Sequence, residues 1–305
     1  GALFYLPNTG GDYTMIRICM LVLGLGGGIL VTAANALASD IDETRRASML
    51  NFLNLFFGLG GFATPFIAGN ILGGDAVRLC YLAAGLTVLT LIVNAVTPIP
   101  GPSGERGFKA SEAGAMLISP KLGLLAVFLF LYVTCEVGVW NWLVKYLITR
   151  GIDEKSALNI LSLGFALGLL IGRVVVSRVL IKVPAITVTL ASAALMAVTT
   201  YMMLQATTQE MAMVAVFCAG LAMAPVFPTT LAIVADAFPK GTATAMGIVI
   251  TCGWIGLAVS SPIIGEIANS SSLGTALLLL PAASVVMILT NLALRPLLAR
   301  KKELV

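Results

Sequence analysis

The chain has 305 residues, of which 59% are hydrophobic and 10% charged, with a mean hydropathy of +1.02 and a net charge of +4. Soluble domains carry about 25% charged residues, so these values exclude a water-soluble globular protein and indicate an all-α polytopic membrane protein. Because there is no histidine and the five cysteines all lie inside apolar runs, the sequence predicts no metal site, no cofactor and no enzyme.

Apolar runs separated by polar, glycine or proline clusters predict nine membrane-spanning helices. One long polar stretch, 98–120, follows the third helix, and its prolines, glycines and charges are typical of a linker. We therefore predict a partial membrane half at 1–97, a linker at 98–120 and a six-helix half at 121–305. The predicted spans are 14–39, 46–72, 78–98, 121–147, 156–181, 184–206, 210–237, 243–268 and 274–298.

Two amides lie inside apolar spans of the first half, Asn35 in TAANALASD and Asn54 in LNFLNLFFGLGG. An amide offers two donors and an acceptor, which suit hydroxyl groups, so both residues are candidates for substrate binding. A hydrogen bond that joins neighbouring helices explains the same two residues equally well.

Glu136 lies near the middle of the 121–147 span, with apolar neighbours on both sides. A charge at the bilayer centre costs about 2.5–3.5 kcal/mol, so such residues usually face a cavity and serve binding or proton transfer. We predict that Glu136 couples transport to protons and that Glu136, Trp140 and Asn141 bind substrate, with Trp140 one helical turn from Glu136. The alternatives are a protonated Glu136 bonded to a neighbouring helix and an interfacial anchoring role for the tryptophan.

Two prolines, Pro225 and Pro228, lie inside the 210–237 span. Proline removes a backbone donor and clashes with an upstream carbonyl, so we expect this helix to kink or unwind locally. Phe227 and Thr229 then become candidates for substrate binding, and we add Trp254 of the next span to them. A kink with no role in binding is the alternative.

Charged residues cluster at the helix ends on one side of the predicted topology. Ion pairs between them that form in one conformation and break in another would bias a conformational change, while ordinary solvated helix ends are the alternative. The predicted residues of this cytoplasmic gate are Asp40, Arg45, Arg46, Arg173, Arg178, Asp236 and Lys240.

The distribution of basic residues predicts the orientation of the chain. If the 98–120 linker is cytoplasmic, thirteen of the 18 basic residues fall on cytoplasmic ends, as the positive-inside rule requires. We therefore predict a multi-pass protein of the cytoplasmic (inner) membrane, with the central loop and the C-terminus in the cytoplasm. The positive net charge follows from this topology and does not indicate a nucleic-acid partner.

The two halves share an internal repeat at an offset of 196 residues. Gly24-Leu25 matches Gly220-Leu221, and 34–40 (ANALASD) runs parallel to 230–236 (TLAIVAD). Chance similarity between helices rich in glycine and alanine is the alternative explanation.

These motifs resemble the fucose permease-like sugar:proton symporters, a branch of the major facilitator superfamily. Residues 30–36 (LVTAANA) are similar to that family's LETAANP in its fourth helix, and 50–60 (LNFLNLFFGLG) to LNLAQTFNSFG in its fifth. In the second half, 131–146 resembles the seventh helix, and 227–229 (FPT) resembles the YPT motif of the tenth. The likeness covers essentially the whole chain.

The resemblance implies a major facilitator fold of which this chain holds the fourth to the twelfth of twelve helices, without the first three. It also implies that a monomer takes up a monosaccharide, a hexose, together with protons by alternating access. Val31 stands where the family has a glutamate, and Glu136 where it has a glutamine. Proton coupling therefore either has moved to Glu136, rests on an absent helix, or is lost. A proton-coupled exporter of drugs or other amphipathic metabolites is the alternative.

Overall fold

The computed structural model describes residues 1–41, 46–98, 114, 116–238 and 241–299, at a few helical positions through the backbone alone. Helices dominate the described part of the chain, which contains no strand, and the predicted all-α class is confirmed. Contacts divide the chain into two compact units, Gly1–Arg106 and Gly107–Val305. The finer division at residues 97 and 120 stays a prediction.

The first unit consists of one short and three long helices. A 3-10 turn, Leu6–Asn8, follows the short helix and is held against the last helix of the unit, where the Asn8 amide donates to the Tyr81 hydroxyl at 3.1 Å. The Phe4 and Tyr81 rings also lie 5.4 Å apart. The helices are α1 (Ala2–Tyr5), α2 (Tyr13–Ile41), α3 (Arg46–Asn70) and α4 (Ala76–Val96).

The second unit contains six spanning segments, three of which are interrupted. One π-helical turn, Ile160–Ala166, joins α6 to α7, while α9 and α10, and likewise α12 and α13, are separated by a residue or two. Its helices are α5 (Pro120–Thr149), α6 (Glu154–Asn159), α7 (Leu167–Val179), α8 (Ala185–Gln205), α9 (Gln209–Met223), α10 (Val226–Ala237), α11 (Thr242–Ser270), α12 (Leu273–Leu277) and α13 (Leu279–Ala299).

Eight helical segments of the described residues are long and apolar enough to cross a membrane. The one predicted span that is not among these eight is 46–72. It forms α3, a helix of 25 residues that carries Pro65 in its interior. The count of about nine spans is therefore consistent with the structure.

Helix α5 forms the centre of the second unit, because it packs against α10, α11 and α13. Leu129, Cys135 and Leu143 of this helix are fully buried. A Cβ atom at Gly256 of α11 would lie 2.5 Å from the Phe130 carbonyl oxygen, so glycine allows the α5 and α11 backbones to approach closely.

Glycines also bring α7 and α9 together. Gly164, Gly168 and Gly172 recur every four residues, and α9 presents Gly220 to them. A Cβ at Gly220 would overlap the Phe165 carbonyl oxygen, and one at Gly168 would overlap the Phe217 carbonyl oxygen. Side chains at these positions would force the two helices apart.

The structure confirms the helix break that Pro225 and Pro228 predict. Helix α9 ends at Met223 and α10 begins at Val226, with a turn between them. The break occurs in only one copy of the repeat. Helix α2 is continuous from Tyr13 to Ile41, and adding the offset of 196 residues to these bounds gives 209 and 237, where α9 begins and α10 ends. The repeat therefore extends to the helix boundaries, and the prolines account for the difference between the two copies.

We predict that Gly220→Ala lowers the thermal stability of the purified protein, because the added methyl group meets the Phe165 backbone. Overpacking of this kind costs about 1–3 kcal/mol. The control is Gly247→Ala in α11, where a Cβ would meet nothing within 4 Å. Thermal unfolding in detergent, followed by tryptophan fluorescence, measures both variants, and equal melting temperatures would contradict the close contact.

Candidate functional site

The candidate site is built on the middle of α5, where Glu136 lies half-buried. Residues four apart share one face of a helix, so Tyr132 and Trp140 lie one turn before and one turn after Glu136 on the same face. This face carries a carboxylate, a phenol and an indole within about two helical turns, and it packs against a large hydrophobic core.

Tyr132 is fully buried, and its hydroxyl meets no hydrogen-bond partner at good geometry within the described residues. The Glu136 carboxylate and the Arg173 guanidinium are near enough to act on this hydroxyl electrostatically. Arg173 lies half-buried at the centre of α7. The structure thus places a phenol of α5 near a carboxylate of the same helix and a guanidinium of α7.

Tyr132 is absent from the residues that the sequence predicts for the site. Its spacing of four residues from Glu136 is a signal that could have found it. The sequence predicts Arg173 as part of a gate at the helix ends, and that role stays a prediction; in the structure its guanidinium is near enough to the Tyr132 hydroxyl to act on it electrostatically.

Trp140 packs against a buried aromatic ring. Its ring meets that of Phe165 edge to face, with 5.1 Å between centroids and an angle of 76°. Phe165 belongs to the π-helical turn Ile160–Ala166, and such turns are frequent at functional sites. Trp140 remains half-buried, so this contact holds the indole in place without covering it completely.

Thr229, in the first turn of α10, has a buried hydroxyl with no hydrogen-bond partner in the described part of the chain. Its neighbour Thr230 is equally buried, but donates to the Val226 carbonyl at 2.6 Å. Buried polar atoms are nearly always hydrogen-bonded, so the Thr229 hydroxyl is the one available to a ligand or a water molecule. Phe227 lies half-buried two residues before it.

The other predicted binding residues have different surroundings. The Asn141 amide donates to the Ser261 hydroxyl at 3.0 Å and so links α5 to α11. Trp254 of α11 is 50% exposed. Asn54 is half-buried in α3 of the first unit, and the side chain of Asn35 lies outside the described part.

Few of the predicted gate residues can be located. Arg178 and Asp236 are exposed near the ends of α7 and α10, and no ion pair between them occurs among the described residues. The side chains of Asp40, Arg45, Arg46 and Lys240 lie outside the described part of the chain. The gate therefore stays a prediction.

Comparison with known proteins gives consistent matches across the whole chain. The family model of the Major Facilitator Superfamily matches residues 1–186 and 154–304. Among solved structures, the crystal structure of the E. coli fucose:proton symporter aligns with a TM-score of 0.68 at 17% identity, and covers 96% of this chain and 80% of that one. At this identity the likeness concerns the fold.

Two curated relatives align over most of the chain. A TsgA homolog of Serratia proteamaculans is 25% identical over 283 residues, which cover 88% of this chain and 70% of the relative. A glucose/galactose transporter of Brucella abortus is 27% identical over 295 residues, which cover 91% of this chain and 71% of the relative.

We predict that Tyr132→Phe leaves thermal stability unchanged or raises it, because no good hydrogen bond of the described structure is lost. Tyr146→Phe is the matched variant on the same helix. The Tyr146 hydroxyl donates to the Leu204 carbonyl at 2.7 Å, at the end of α8 where carbonyls lack helical donors. Its loss should cost about 1–3 kcal/mol. If Tyr132→Phe lowered the melting temperature as much as Tyr146→Phe, the Tyr132 hydroxyl would have to make a stabilising hydrogen bond, which would contradict the structure.

Proposed function

The chain belongs to the Major Facilitator Superfamily, a family of membrane transporters and not of enzymes, and on that premise we propose that it takes up a hexose together with protons. The names of the Brucella relative and of the E. coli fold neighbour support a sugar as cargo. The proposed mechanism is alternating access, in which the substrate site opens to one side of the membrane at a time.

The observation that carries the proposal is Glu136, a half-buried carboxylate at the centre of a membrane helix, one turn from the Tyr132 hydroxyl, on which both Glu136 and Arg173 act electrostatically. A nearby cation favours the charged form of a carboxylate, and an apolar environment favours the neutral form. A conformational change that alters the surroundings of Glu136 would therefore make it bind a proton in one state and release it in another. Glu136 would thus couple proton movement to transport.

The sugar is proposed to bind next to this carboxylate. The hydroxyls of Tyr132 and Thr229 are buried without good partners in the described structure, and their helices, α5 and α10, pack together. Such hydroxyl groups suit a ligand rich in hydroxyls, because the protein and sugar hydroxyls would form hydrogen bonds with one another. The Trp140 ring would add an apolar surface for the C–H face of the sugar.

The remaining expectations form part of the same proposal. We place the linker, the C-terminus and the predicted gate on the cytoplasmic side of the inner membrane, since most basic residues lie at those ends. We also propose that one copy of the protein forms the complete transport pathway.

We predict that Glu136→Gln abolishes sugar accumulation driven by a proton gradient, because an amide cannot take up and release the proton. Exchange of labelled for unlabelled sugar should persist, since it needs no net proton transfer. Both are measured in proteoliposomes that contain the full-length protein. The control is Glu266→Gln, which removes an exposed carboxylate from α11. Accumulation by Glu136→Gln at the wild-type level would remove Glu136 from the coupling mechanism.

Thr229→Val is expected to weaken sugar binding, because it deletes the hydroxyl proposed to contact the ligand. A lost hydrogen bond of this kind costs about 0.5–1.5 kcal/mol, or roughly twofold to twelvefold in affinity. Thr230→Val, which removes a hydroxyl already bonded to Val226, should leave affinity unchanged. Thermal shift upon titration with hexoses measures both, and equal affinities in the two variants would contradict the assignment.

A further inference from the structure

The second unit contains an apolar groove that the proposed transport site does not use. It has a volume of about 430 Å³ and lies between α7, α8 and α9, beside the helix break at Pro225. Valine, alanine and leucine side chains form most of its wall, among them Val179 and Leu195, which are 39% and 55% exposed. The hydroxyl of Thr199, at one end, is turned back to the Leu195 carbonyl at 2.7 Å. The groove therefore offers a surface for hydrocarbon.

The length of the groove corresponds to one leaflet of a bilayer. Its wall on α8 extends from Thr187 to Thr199, which is about 18 Å of helix at a rise of 1.5 Å per residue. The hydrocarbon core of a bilayer is about 30 Å thick, so one leaflet contributes about half of that. A single acyl chain that enters from one membrane surface would occupy a groove of this length.

Three cations lie at the end of the groove where α7 connects to α8. Arg178 is in the last turn of α7, and Lys182 lies in the connecting turn, next to Val183 of the groove wall. The Arg295 guanidinium of α13 donates to the hydroxyl of Thr187, another wall residue, at 3.5 Å. None of the three forms a salt bridge within the described residues.

The backbone at the same end also suits an anion. Helix α8 begins at Ala185 without a side-chain cap, so N–H groups of its first turn point toward the connecting turn. No acidic side chain occurs among the residues that line the groove. The three cations therefore make the local charge beside the apolar groove positive.

We propose that this groove binds an anionic phospholipid, with one acyl chain along α8 and the phosphate at Arg178, Lys182 and Arg295. Basic clusters between membrane helices are the usual recognition sites for anionic headgroups. The combination of a groove one leaflet long and a cationic end distinguishes this ligand from a zwitterionic lipid, which lacks the net charge, and from free phosphate, which lacks the chain.

Native mass spectrometry of the full-length protein in detergent tests the proposal. The probes are phosphatidylglycerol and phosphatidylcholine with identical acyl chains, together with soluble glycerol 3-phosphate. The wild-type protein should retain phosphatidylglycerol at least fivefold more than phosphatidylcholine, since each cation near a membrane surface contributes about fivefold. It should not retain glycerol 3-phosphate. Equal retention of the two lipids, or retention of glycerol 3-phosphate alone, would overturn the proposal.

Two sets of variants locate the site. R178Q/K182Q/R295Q should lose the preference for phosphatidylglycerol, whereas K145Q/R150Q/K155Q, which removes the same charge from other positions, should keep it. Ala191→Trp fills the groove and should lower the retention of both lipids. Val198→Trp, on the same helix but outside the groove wall, should not. If Ala191→Trp bound both lipids as well as the wild-type protein does, the lipid would not lie in the groove. If the wild-type protein were a dimer and Ala191→Trp dissociated it, the groove would be an interface between two copies instead of a lipid site.

Discussion

The main physical constraint on this protein is the Glu136 carboxylate inside the membrane helix α5. A carboxylate in the middle of α5 cannot stay there at low cost unless nearby groups stabilise its charge or a proton removes it. In the described structure the Tyr132 hydroxyl, one turn earlier on α5, lies near enough to both the Glu136 carboxylate and the Arg173 guanidinium of α7 to interact with each electrostatically. The close packing of α5, through glycines such as Gly256, keeps this turn in a fixed position among its neighbours. Helix α5 is therefore central both to the packing of the second unit and to the proposed proton coupling.

Most of the fold could be predicted from the sequence because the bilayer imposes a simple rule. Any stretch of about 20 apolar residues must form a helix to satisfy its backbone, so hydropathy gives the spans. The chemistry of proline predicted the break at Pro225, and sequence similarity revealed the repeat that relates α2 to α9 and α10. The π-helical turn Ile160–Ala166 was not predicted, since its residues are apolar and carry no local signal.

The site was predicted only in part, because hydropathy does not say which side chains meet. Glu136 stands out in a sequence as a charge in an apolar run, but Arg173, which acts on Tyr132 electrostatically, belongs to another helix and looks like a helix-end residue. Asn141 also looks like a binding residue, yet the structure bonds it to Ser261. Thr229 and Thr230 are indistinguishable by sequence, and only the hydrogen-bond pattern separates them.

Proton movement that depends on sugar is the most direct test of the proposed coupling. Proteoliposomes with the full-length protein would be suspended in weak buffer without an imposed gradient, and the external pH followed after a hexose is added outside. Symport predicts that the external medium becomes alkaline as sugar and protons enter together, and that a protonophore abolishes the signal. Entry of labelled hexose with no change of external pH, or with acidification, would contradict the account.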